Sequence, residues 1–209
     1  MTTYRAAVIG LGIMGRRMMA NLEQHPHFQI AGIWDPSASS VTKARAEFPS
    51  TPVADNPAAL INKGVADFVY IACPPEWHKH YALMAIEAGV AVYTEKPLGV
   101  DIAESEDLVD RLERTNTPNV VNFVQASCEA LGLTQAAMAG GELGAITGID
   151  IVVQYQQWPR VWQVEADWLR FRGAGGYVRE VISHFVFVTE RLLGPAKITF
   201  TAASYPSDP

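Results

Sequence analysis

Tyr4-Arg5-Ala6-Ala7-Val8-Ile9-Gly10-Leu11-Gly12-Ile13-Met14-Gly15 is an apolar run that passes directly into a G-x-G-x-x-G. The run predicts a buried strand over 4–9, and the residues after it predict an amphipathic helix over 13–24. Each glycine then has its own task. Gly10 permits the tight turn, Gly12 lets backbone approach a pyrophosphate, and Gly15 packs helix on strand. The helix N-terminus, at Ile13 and Met14, offers N–H groups and a partial positive charge to phosphates. An ordinary glycine-rich turn is the plain alternative. The flanking strand and helix favour a dinucleotide.

Outward from this motif, apolar runs alternate with amphipathic stretches, the pattern of βαβ units and a parallel sheet. Strands are expected at 28–34, 66–72, 90–94 and 119–124. Helices are expected at 37–47, 57–62, 76–88 and 101–115, with Gly89 as a C-terminal cap. The character changes near residue 125. A helix over 130–140, a strand over 145–157, a helix over 176–193 and a strand over 197–204 predict an α+β region. The expected architecture is therefore a doubly wound α/β domain over 1–124, followed by an α+β domain over 125–209.

Composition bounds the function. The 209 residues are 49% hydrophobic and 18% charged, enough for a sizeable core and against global disorder. A net charge of −6 without a basic block argues against nucleic acid or an anionic membrane as partner. The start leaves no room for a signal peptide, and no apolar run is long enough to span a bilayer. Cys73 and Cys128 form neither metal spacing nor a disulfide framework, so no metal and a reducing, cytoplasmic setting are expected.

Four further places carry chemistry. Asp35 ends the second strand, where a carboxylate accepts ribose hydroxyls and repels a 2′-phosphate, favouring NAD with NADP as second choice. Asp35-Pro36-Ser37 is equally a turn that caps the next helix. Ala72-Cys73-Pro74 follows another buried strand and faces the same crevice by topology, with Cys73 read as a small buried thiol in preference to a nucleophile. His78 is open to two readings, a contact to cofactor or substrate and a solvated polar residue. Glu95-Lys96-Pro97 places a lysine at the carboxyl end of a strand, where ligands of open α/β sheets bind. Glu180 and His184, four apart on one helix, share a face with Phe187 and Arg191, opposite Val181, Ile182 and Phe185. That stripe reads as a solvated ion pair or as a carboxylate–imidazole dyad.

These motifs together resemble the Gfo/Idh/MocA oxidoreductases, the group of glucose–fructose oxidoreductase and inositol dehydrogenase. The resemblance rests on Gly10 to Gly15, Ala72-Cys73-Pro74 with His78, Glu95-Lys96-Pro97-Leu98-Gly99, Gly141-Glu142-Leu143-Gly144, and the segment from Gly175-Gly176 to His184. It implies a Rossmann domain, a C-terminal domain with an open, mainly antiparallel sheet, and NAD(P)-dependent oxidation of a sugar, polyol or related small molecule. It also implies a Lys-Pro peptide that is often cis, Lys96 at substrate and nicotinamide, His184 as proton acceptor and Glu180 as its carboxylate partner. The cofactor set carried over is Gly10, Gly12, Ile13, Met14, Gly15, Asp35, Ala72, Cys73, Pro74, His78, Glu95 and Lys96.

Three departures accompany the resemblance. Position 180 is Glu where the family usually has Asp, and Ile182 replaces a residue that is usually small. Gln125-Ala126-Ser127-Cys128 stands where many members carry an arginine-containing segment. Members run substantially longer, so the second domain is expected to be incomplete and the family's homo-oligomer is in doubt. Two other readings remain open: a catalytically silent dinucleotide-binding scaffold or sensor, and reduction of a C=N or C=C bond.

Overall fold

The computed structural model describes residues 2–205. Its first compact unit ends at Asn122 and its second begins at Phe123. The first is built on five parallel strands, β1 (Tyr4–Ile9), β2 (Phe28–Trp34), β3 (Phe68–Ile71), β4 (Ala91–Glu95) and β5 (Asn119–Asn122). Their spatial order is β2-β1-β3-β4-β5, so the chain reverses direction across the sheet between β1 and β3. A single parallel bridge, Ile33 to Val53, extends the β2 edge. Helices α1 (Ile13–Gln24), α2 (Ala38–Glu47), α3 (Pro57–Leu60), α4 (His78–Ala88) and α5 (Ile102–Arg114) make the crossovers.

Both sheet faces are covered, which is why the strands read as near-continuous apolar runs. On one face Ala7, Ile9, Val69, Ile71 and Val92 pack against Tyr81 and Ala85 of α4 and Leu108 and Leu112 of α5. On the other, Ala6, Val8 and Tyr70 meet Met19 and Leu22 of α1 and Ala44 of α2. Each fully buried Val, Leu, Ile or Met side chain contributes about 1.5–3 kcal/mol. The helix ends follow local chemistry. Asp101 caps α5 by accepting the Glu104 N–H at 2.8 Å, and Gly89 ends α4 in the left-handed region.

The second unit contains α6 (Glu129–Ala139) and α7 (Ser183–Leu193), with a π-helical turn at Val178–Ile182 leading into α7. The expected strands at 145–157 and 197–204 are corrected here. Among the described residues neither stretch joins a β ladder. Alternation states which face a strand would bury, but a strand also needs a neighbour to take its N–H and C=O groups. Aromatic packing orders part of this region instead. Tyr177 lies against Tyr155 and Trp158, and its hydroxyl donates to the Val153 carbonyl at 3.0 Å.

Backbone contact dictates the glycine pattern of the first loop. A Cβ on Gly15 would lie 1.9 Å from the Gly10 carbonyl oxygen, whereas one on Gly12 meets nothing within 4 Å. We expect Gly15→Ala to cost at least about 2–3 kcal/mol by overpacking. Gly12→Ala should stay within about 1 kcal/mol. Chemical denaturation of the two variants checks the contrast.

Candidate functional site

The loops after β1, β3 and β4 open on one edge of the sheet, the carboxyl ends of its strands. Gly10 turns there with φ +90°, and a Cβ on it would stand 2.5 Å from the Cys73 amide nitrogen. The β1 and β3 loops therefore touch backbone to backbone. In α1 the first i→i−4 bond is made by the Arg16 N–H to the Gly12 carbonyl at 3.1 Å. The N–H groups of Ile13, Met14 and Gly15 precede it at the helix mouth, and Gly12 itself is exposed. Exposed backbone, open space where a Cβ would stand and a helix N-terminus suit a pyrophosphate. The residues present fit a bound dinucleotide.

Asp35, just past β2, serves the turn that its sequence also suggested. Its Oδ2 accepts the Leu11 N–H at 2.7 Å and its Oδ1 accepts the Ser37 N–H at 2.7 Å. One carboxylate thus ties the glycine loop to the start of α2. Each oxygen keeps a second lone pair for a hydroxyl.

Two residues of the expected cofactor set are buried against protein groups. His78 is 1% exposed. Its Nδ1 stands 2.9 Å from the Pro97 carbonyl and its Nε2 stands 2.9 Å from the Cys73 carbonyl. The ring bridges the β3 and β4 loops, which excludes the solvated reading. Glu95 is 6% exposed. Its Oε1 accepts the Tyr70 hydroxyl and the Asn122 side-chain N–H, the latter at 2.7 Å. Its Oε2 accepts the Lys96 backbone N–H at 3.3 Å. Protein donors occupy this carboxylate, and Tyr70 and Asn122 are the residues that sequence reasoning missed. The register pair Glu95–Asn122 would have exposed them, but register is not written in either segment alone.

Cys73 is an inert thiol, pushed up to about 12 chiefly by burial. Lys96 follows β4 and is half-buried. The Lys96–Pro97 peptide is cis.

In the second unit the sequence placed Glu180 on a stripe facing away from the apolar side. The structure buries Glu180 to 7% exposure and leaves Val178 60% exposed. The π-turn is the cause, since the Ser183 N–H reaches the Val178 carbonyl five residues back. A wheel at 100° per residue loses its phase there. His184 packs edge-on to Phe123 at 5.8 Å, and Phe187 stacks on Phe123 at 4.5 Å. Glu180, His184 and Phe187 of the predicted stripe therefore lie on a packed face, while Arg191 at its end is exposed. The glycine run ahead of it wraps a cation: Arg179 Nη1 donates to the carbonyls of Arg172, Gly173 and Gly175 at 2.8–3.3 Å. Among the described residues no cluster of three His, Cys, Asp or Glu could hold a metal ion. No described helix is long and apolar enough to cross a membrane.

Residues 4–123 match the oxidoreductase family with an NAD-binding Rossmann fold, GFO_IDH_MocA. Oxidoreductase P35 of Formosa agariphila is 28% identical over 132 residues, which are 62% of this chain and 41% of that protein. An inositol 2-dehydrogenase of Mycolicibacterium gilvum is 27% identical over 146 residues, 69% of this chain and 42% of that one. The WlbA dehydrogenase of Bordetella pertussis, solved with NADH and UDP-GlcNAcA, superposes with a TM-score of 0.81 at 22% identity. That superposition covers 93% of this chain and 56% of the other. The chain thus spans about two fifths of the length of these curated relatives.

Burial holds His78 below its ordinary value of 6.5, against the raising effect of its carbonyl partners. The unfolded state then binds the proton more readily. This group's contribution to stability is present above pH 6.5 and is lost as the pH falls below it toward the lowered folded value. Unfolding free energies measured across that window should fall less steeply for His78→Gln than for the parent.

Proposed function

The chain belongs to the Gfo/Idh/MocA oxidoreductase family, and on that footing we propose that it moves a hydride between NAD(H) and the hydroxyl-bearing carbon of a sugar, polyol or related compound. The observation that carries the proposal is Lys96 at the carboxyl edge of the sheet, the same edge on which Gly12 faces open space. A cation beside a dinucleotide loop suits a reaction in which negative charge develops on oxygen.

Gly10, Gly12 and the first turn of α1 would hold the pyrophosphate. Asp35 would accept the ribose hydroxyls with the lone pairs its own turn leaves over, and its charge disfavours a 2′-phosphate. When bound, the nicotinamide supplies the hydride acceptor. Lys96 donates a hydrogen bond to the substrate hydroxyl and stabilises the developing alkoxide. By the resemblance, His184 would be the acceptor of the hydroxyl proton as the carbonyl forms. Glu180 steadies the imidazolium so produced.

Three tests separate the parts. A screen of polyols, sugars and hydroxy acids with NAD and NADP should give NADH formation with at least one class, and silence across the panel overturns the reading. With a substrate in hand, Lys96→Ala and His184→Ala should each lower kcat by about 10²–10⁴. In a tryptophan-quenching titration NADH should bind more tightly than NADPH. The reverse order removes the Asp35 argument while leaving the rest standing.

A further inference from the structure

Four polar side chains converge on one face of the sheet at its carboxyl edge. Tyr70 on β3 is in register with Tyr93 on β4, and Glu95 on β4 is in register with Asn122 on β5. Residues two apart on a strand share a face, so all four point the same way. The Tyr70 and Tyr93 rings meet edge to face at 5.1 Å. The Tyr93 hydroxyl donates to Asn122 Oδ1 at 3.0 Å. That fixes the amide so that its N–H₂ end aims at Glu95, 2.7 Å away. The Tyr70 hydroxyl closes on the same Glu95 oxygen. Tyr70 is fully buried, and its phenol is held far above the usual range by burial and by the Glu95 charge.

Burying a carboxylate in the row of a sheet core is costly unless donors meet it. Here three residues are committed to one glutamate, which a plain apolar side chain at position 95 would not need. Their product is direction. With Oε1 held by two side chains, Oε2 is left at the Lys96 backbone N–H, so the turn that launches the Lys96 side chain is fixed from inside the sheet. We propose that Tyr70 and Asn122 are positioning residues for Lys96, acting through the Glu95 carboxylate. The proposal rests on the reading that Lys96 belongs to the active centre, and its test needs no turnover.

Competitive acetylation with trace acetic anhydride, read by mass spectrometry across a pH series, reports the reactivity of each lysine in the folded protein. Lys43, Lys63 and Lys79 lie elsewhere in the first unit and serve as internal references. In Tyr70→Phe and in Asn122→Ala, the Lys96 rate or its pH midpoint should move by at least about threefold, or about half a pK unit. The three references should stay where they are. A merely structural network would lower the melting temperature and leave the Lys96 profile on the parent curve; that result in both variants overturns the proposal. Asn122 is half-buried on the edge strand, so its variant carries the test if Tyr70→Phe fails to fold. A protein that turns over normally with an unmoved Lys96 keeps the function and loses this inference. A protein that reduces no nicotinamide but shows the shift does the opposite.

Discussion

The Gly15 Cα sits so close to the Gly10 carbonyl that no side-chain atom fits between them, and the geometry of the sheet edge descends from that contact. It lets α1 begin immediately after β1, with its first N–H groups at the mouth of the crevice. Gly10 in turn lies against the Ala72–Cys73 backbone, so the loops after β1 and β3 are set by one packing event. Asp35 adds the third loop by accepting the Leu11 N–H. Three connections from three strands thus form one rigid rim. Backbone contacts of this kind have few alternative packings, which is what preorganises a binding site for an extended ligand.

The fold of this unit was legible because its signals are local. Strands buried on both faces appear as runs such as Phe68-Val69-Tyr70-Ile71, and a helix end appears as Gly89. The site was legible as positions and much less so as roles. The two His78 ring nitrogens stand 2.9 Å from a carbonyl five residues back and 2.9 Å from another nineteen residues ahead, and no spacing rule reaches the second. Glu95 entered the expected cofactor set with the Glu-Lys-Pro motif of the resemblance. Its real partners sit twenty-five and twenty-seven residues away on neighbouring strands, which only strand order and register bring together.

The second unit shows the other way a sequence reading fails. A helical wheel holds for a helix with one pitch. The π-turn at Val178–Ile182 changes the pitch at the residues that mattered, and Glu180 turns inward while Val178 turns out. Such turns gather at functional sites because they aim a side chain that a regular helix cannot. The stretches at 145–157 and 197–204 have the alternation of strands without a ladder, since pairing is a property of two segments and alternation of one.

Lys96 illustrates how these levels join. Its residue type supplies a charge, and its position after β4 supplies a place on the rim. Neither supplies a direction, because a lysine has four rotatable bonds and loses considerable entropy when held. Direction comes from the peptide groups on either side. The N–H before the side chain is held by Glu95 on one face of the sheet. The carbonyl of Pro97 after it stands 2.9 Å from the His78 ring on the α4 side. Fixing the backbone at two points leaves fewer degrees of freedom to be ordered when a substrate arrives. A misplacement of about 1 Å is enough to cost a reaction of this kind about 10²-fold. On the proposed role of Lys96, the buried polar groups behind it are parts of its site and not exceptions in an otherwise apolar core.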